Sequence, residues 1–357
     1  MSMIRQQFDM AWKMLLPVAI GLGVVWWLFG REFDAGVWDT LRFDGRAIAG
    51  IVLAWVFMLG RDFGLTWRFR VLTDGRLSWA KAVKVCFLCE FTSCVTPTSV
   101  GGSALSMVFM HREGIEMGRA TTLTMTTLFL DELFFVVSLP VVMLLVPYGE
   151  LFGFGGGDKA FTVGLQTAFW IIYGVIVAWT LLLFMGIIVR PHAIRAGLVR
   201  LFSLGWLRRW RDKADSLGRD MEDTGRDLRH RPLRWWLEAC GGTVLSWMSR
   251  YLVVNALFFG FAPEADQVIV LARQFVVWVI LMVSPTPGGA GISEWLFTTY
   301  YGDLLLTGGM ALMIALFWRI VSYYIYLVIG ACMLPAWFRE GIRRKNERKS
   351  NAKQFIE

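Results

Sequence analysis

The stretch Ser284-Pro285-Thr286-Pro287-Gly288-Gly289-Ala290-Gly291-Ile292-Ser293-Glu294 cuts an apolar run in two. Proline fixes φ and lacks an N–H, so no α-helix passes unbroken through Pro285 and Pro287. A second such break reads Thr96-Pro97-Thr98-Ser99-Val100-Gly101-Gly102-Ser103-Ala104. Each has Pro-Thr, a spacer, Gly-Gly and small residues leading back into apolar ones. Irregular backbone at membrane depth is tolerated only where protein or a water-filled cavity surrounds it. Paired interruptions in two halves of one chain are the pattern of transporter binding sites.

The chain around these breaks belongs in a membrane. Of its 357 residues 56% are hydrophobic and 18% charged, and several apolar runs approach the ~20 residues that cross a bilayer. Spanning runs are expected at about 11–29, 47–65, 120–147, 161–189, 233–261 and 303–338, with interrupted stretches at 85–110 and 267–300. The apolar part of the first run is too long for a signal peptide and no small-residue cleavage site follows it. The expected fold class is an all-α polytopic membrane protein.

The net charge of +8 reports orientation and contact with anionic lipid, and no nucleic-acid partner is expected. Lysine and arginine gather in 66–84, in 190–234 and in the tail, whereas 148–160 and 262–267 are nearly free of them. The basic loops and both termini are therefore expected in the cytoplasm, with the protein in the cell inner membrane. Parity then constrains the breaks. Between the basic 66–84 loop and the outward 148–160 loop, 120–147 supplies one crossing, so 85–110 enters and leaves on one side. The same count makes 267–300 a hairpin from the opposite side. The chain divides into 1–46, a first repeat at 47–189, a basic linker at 190–232, an inverted second repeat at 233–338 and a basic tail at 339–357. A full span plus a half helix in each interrupted stretch is the alternative. Within the linker, Leu198, Leu201, Phe202 and Trp206 form an apolar stripe among arginines, suited to an anionic leaflet; an ordinary solvated connector fits equally.

Candidate site residues follow from cost. Helix N-termini after the breaks, near Gly102 and Gly289, attract anions through free N–H groups and the helix dipole. This nominates Thr98, Gly101, Gly102 and Ser103 with Thr286, Gly288, Gly289 and Ser293; close helix packing is the competing reason for Gly-Gly. Ionisable residues inside apolar segments are expensive and mark sites: Arg319, Arg250, Glu294 and Asp131, then Glu90, Glu132 and Arg273. Arginine offers phosphate a two-pronged fork, and Glu294 and Asp131 neutralise such arginines in an empty site or bind a cation. Structural ion pairs are the alternative role. Catalysis is not expected. The three histidines, His111, His192 and His230, form no ligand pattern, and Cys86-x-x-Cys89 has no second pair to complete a metal site. No cofactor and no metal are expected.

These residues carry a resemblance. Val283 to Glu294, Thr96 to Gly102, Phe109-Met110-His111-Arg112-Glu113-Gly114-Ile115 and Trp318-Arg319-Ile320-Val321-Ser322-Tyr323-Tyr324 resemble the lysylphosphatidylglycerol synthase transmembrane region, over roughly 47–338. That family includes the flippase-like half of the multiple peptide resistance factor, and other members accompany hopanoid or polyprenyl-linked glycan pathways. The resemblance implies lipid translocation, with Gly288, Gly289, Glu294 and Arg319 at matching positions. Ser293 stands where many members have arginine, and Ser103 and Met107 replace an acidic residue and an arginine. No room for a soluble aminoacyl-transferring domain follows residue 338, so lipid synthesis is not expected. The expected partner is a membrane lipid with an anionic headgroup, with a homo-oligomer or a lipid-modifying enzyme as further possibilities. The alternative function is a non-transporting, lipid-binding accessory subunit.

Overall fold

In the computed structural model the described residues are 43–96, 102, 105–152, 159–203, 210–286, 288, 289, 291–305, 308–334 and 337. The expected span at 11–29, the tail and Trp206 lie outside them, as do Thr98, Gly101 and Ser103.

Helix α1 (Gly45–Leu72) opens on Asp44, whose carboxylate accepts from the N–H groups of Arg46 and Ala47, an N-cap that satisfies otherwise orphaned donors. It is followed by α2 (Trp79–Val95), a break, α3 (Ser106–Arg112) and α4 (Met117–Leu145). After the short α5 (Tyr148–Phe152), α6 (Lys159–Phe184) runs into a π-helical turn at Met185–Val189. Two amphipathic helices, α7 (Pro191–Leu201) and α8 (Arg211–Arg229), come next. The second half repeats the first pattern: α9 (Leu233–Phe261), α10 (Gln267–Leu281), a break, α11 (Ile292–Tyr301), and α12 (Gly308–Arg319) with a π-helical turn at Ile320–Tyr324. Helix continues from there to Leu334. Five helices among the described residues are long and apolar enough to span: α1, α4, α6 with its π turn, α9 and 309–334.

The broken segments are hairpins. At ~1.5 Å per residue, α2 is about 25 Å long and α10 about 22 Å, both short of the ~30 Å hydrocarbon core. Their far ends return to their starts. Glu113, just past α3, pairs with Lys84 near the start of α2 at 3.1 Å. In the second hairpin, Tyr301 Oη donates to the Val270 carbonyl (3.1 Å), and Arg273 Nη1 reaches Asp303 Oδ1 (2.5 Å). Each hairpin leaves on the side it entered.

Polar contacts sort those sides into two. On one, Asp74 pairs with Arg119 and Arg231, joining the α1–α2 turn to the start of α4 and the turn before α9. On the other, Arg273 Nε donates to the Glu150 carbonyl and Tyr300 to that of Leu151, joining the α4–α6 connection to the second hairpin. The first hairpin opens on the former side and the second on the latter, which gives the inverted arrangement.

The two halves are held by a seam of small residues. A Cβ on Gly50 would lie 2.6 Å from the Ala256 carbonyl, one on Gly60 2.9 Å from Ser249 Oγ, and one on Gly64 2.7 Å from the Gly242 carbonyl. Antiparallel α1 and α9 therefore touch backbone to backbone, the close approach that small residues permit where lipid supplies no hydrophobic drive. The linker helices pack under the bundle rather than hanging free: Met221 and Leu228 of α8 are buried, and Gly225 abuts Ile187 and Pro191. Arg195 of α7 bonds Asp215 of α8 at 2.9 Å, which holds the Asp215 carboxyl below its usual range.

Candidate functional site

The hairpin turns meet inside the bundle. The Gly288 N–H donates to the Thr96 carbonyl (3.3 Å), and Tyr323 Oη donates to the Cys94 carbonyl (3.2 Å). Gly288 has φ +57°, and a Cβ there would strike the Tyr323 ring and sit 3.0 Å from the Cys94 carbonyl. Only glycine combines that backbone with that proximity at no steric cost. Beside this contact lies a cavity of about 200 Å³, far above the 10–15 Å³ that one water needs.

Its lining is unusually charged for a membrane interior. Arg61, Arg68, Arg250 and Arg319 face it, with Glu90, Asp131 and Glu132. Each arginine has a carboxylate. Arg61 contacts Asp62 (2.9 Å) and Glu90, and Glu90 also takes Arg250 (3.2 Å). Arg68 grips Asp131 through both nitrogens, at 2.5 and 3.2 Å, and Trp247 Nε1 donates to the same carboxylate (2.7 Å). Arg319 Nε lies 2.7 Å from Glu294 Oε1, and Nη1 donates to the Gly288 carbonyl (3.1 Å). Aromatic faces complete these cation sites: Arg250 sits 4.7 Å from the Trp278 ring centroid and Arg319 3.8 Å from that of Tyr323. Cation–π attraction of this kind is strongest when desolvated.

The nominated residues thus separate. Arg319, Arg250, Asp131, Gly288 and Gly289 line the cavity. Glu294 stands behind Arg319, 1% exposed and outside the lining. Ser293 Oγ donates to Glu294 Oε2 (2.8 Å), and Thr286 bonds to Ser284 (3.1 Å); neither faces the cavity. The second hairpin's helix starts at Ile292 rather than near Gly289, because Glu294 Oε2 accepts from the Gly291 N–H (2.7 Å) and closes its N-terminus from within. That end is already occupied by a carboxylate of its own chain. In the first hairpin Gly102 is itself helical, where a helix was expected to begin, and it presses on the backbone of Ser93, so packing accounts for that glycine; α3 follows at Ser106. Arg273 lies apart, tying the second hairpin's base to Asp303.

Arg61 and Arg68 were not among the nominated residues. Arg61 had a usable signal, a charge inside Leu59-Gly60-Arg61-Asp62-Phe63-Gly64 of an apolar run. Arg68 reads as part of the basic loop, but α1 continues to Leu72 and carries it inward.

Residues 14–330 match the family described as the lysylphosphatidylglycerol synthase TM region. The chain belongs to this family. The match includes the cavity lining from Arg61 to Tyr323. A UPF0104 membrane protein of Archaeoglobus fulgidus is 21% identical over 332 residues, covering 89% of this chain and 94% of that protein. No solved structure matches. For a member of the lysylphosphatidylglycerol synthase TM region family, the geometry offers guanidinium groups within a membrane interior, each balanced by a carboxylate.

Proposed function

We propose that this protein is a flippase-like lipid transporter, moving an anionic or zwitterionic lipid between leaflets without catalysing a covalent reaction. The observation that carries this reading is the arginine-lined cavity at the meeting point of hairpins from opposite sides. A phosphate-bearing headgroup gains charge-assisted hydrogen bonds there, while its acyl chains remain in lipid outside the bundle. Broken segments at midplane, each backed by a full span, are the architecture in which one repeat rocks against the other around a fixed site.

The test is reconstitution of the purified full chain into vesicles carrying a fluorescent phospholipid, with an impermeant quencher added outside. Movement makes the inner-leaflet pool quenchable, and Arg319→Ala lowers the rate to that of empty vesicles. Lipid that is bound but never moved would instead support the accessory-subunit role, with the α7–α8 pair as its docking element.

A further inference from the structure

Among the buried polar atoms of the cavity residues without a hydrogen-bond partner or an ion-pair contact, Nε of Arg61 and Arg68, Nε1 of Trp278 and Nη2 of Arg319 are donors, and one atom is an acceptor. Nη2 of Arg319 is a donor without an acceptor, and Oε2 of Glu132 is an acceptor without a donor. Arg319 is 5% exposed and Glu132 7%, and both residues line the cavity. Asp131, next to Glu132 in sequence, is fully engaged by Arg68 and Trp247. Among the described residues Glu132 is the lining carboxylate that no arginine contacts. The balance of charge points the same way. Arg61, Arg68, Arg250 and Arg319 are matched by Asp62, Glu90, Asp131 and Glu294, so Glu132 is a carboxylate in excess. A buried carboxylate without a partner is costly, and a ligand supplying a cationic N–H donor relieves that cost.

We infer that Glu132 receives a primary ammonium group, so that the cavity selects a headgroup carrying both a phosphate and an amine. This rests on the reading that the cavity passes a lipid headgroup, and it narrows which one. The phosphate takes the free Nη2 donor of Arg319, and the ammonium takes Oε2 of Glu132. A phosphate headgroup with no amine adds an anion to a cavity that already holds a surplus carboxylate. A quaternary amine keeps the charge but has no N–H to donate.

The experiment is native mass spectrometry of the full chain with three synthetic lipids of identical acyl chains: phosphatidylethanolamine, phosphatidylcholine and phosphatidylglycerol. The wild type retains phosphatidylethanolamine about tenfold over either other lipid, the scale of one charged hydrogen bond. Glu132→Gln brings the three close to parity, with phosphatidylethanolamine retention falling and phosphatidylglycerol retention rising. Equal or weaker retention of phosphatidylethanolamine by the wild type overturns the inference, as does an unchanged preference in the variant. Should Glu132→Gln fail to fold, the wild-type comparison of primary with quaternary amine decides alone. Equal movement of all three lipids in vesicles overturns amine selection but leaves translocation standing, whereas no retention and no movement of any lipid removes both.

Discussion

Arg319 is held by Glu294, by the Gly288 carbonyl and by the Tyr323 ring, so truncating it does two things at once. It removes a phosphate donor, and it strands the Glu294 carboxylate, 1% exposed, without its cation. Removing one partner of a buried pair typically costs ~3–5 kcal/mol, whereas replacing both with matched neutral groups is often neutral. We therefore expect Arg319→Ala to lower the thermal midpoint in detergent as well as abolish lipid movement. Arg319→Met combined with Glu294→Gln should regain most of the stability and none of the movement. Recovery of movement in the double variant would make Arg319 purely structural. Which residues were legible beforehand follows from where each charge sits. Arg319, Arg250 and Asp131 lie deep in apolar runs, where the cost of burial announces them. Arg68 lies at the end of one, where sequence does not distinguish a helix that stops from one that continues to Leu72.

The hairpins are the elements that sequence located best, because loop charge and crossing parity constrain them independently of local propensity. Their helix starts were less legible. Gly-Gly suggested a start near Gly289, but the first turn is set by Glu294 reaching back to the Gly291 N–H, with Gly291 at φ +83°. A capping carboxylate is recognisable only once the N-cap is known. The turn-to-turn contact gives a sharper test. Gly288→Ala places a methyl group against the Tyr323 ring in a left-handed backbone, a conformation costing ~1–2 kcal/mol for an L-residue before any clash. The expected outcome is a loss of at least ~2 kcal/mol in unfolding stability, and lipid retention reduced at least as strongly as by Arg319→Ala, because both hairpins shift. The α1–α9 seam makes a control away from the cavity. Gly50→Val overpacks against Ala256 and Gly260, at a cost of ~1–3 kcal/mol, and should lower the midpoint while leaving the ratio of lipids retained unchanged.

At the scale of the whole molecule the two sides differ in charge as well as in contacts. Arg70, Arg76, Lys81, Lys84, Arg112 and Arg119 lie toward the side of the first hairpin's opening, joined by Arg231 in the turn before α9. On the other side Glu150, Glu264, Asp266 and Asp303 predominate. Lysine and arginine in short loops are retained in the cytoplasm, so the first hairpin should open inward and the second outward, with the cavity between them. The orientation can be read without any transport assay. Cys240 and Cys332, the free cysteines that are not fully buried, are first replaced by serine. Single cysteines are then placed at two exposed positions, Ser203 after α7 and Glu264 between α9 and α10. A membrane-impermeant maleimide added to intact cells should label Glu264→Cys, and Ser203→Cys only after the membrane is opened. The reverse pattern would turn the molecule over and give each hairpin the opposite leaflet. Labelling of both in intact cells would mean that α9 does not cross, and with it would go the inverted pairing on which the midplane cavity depends.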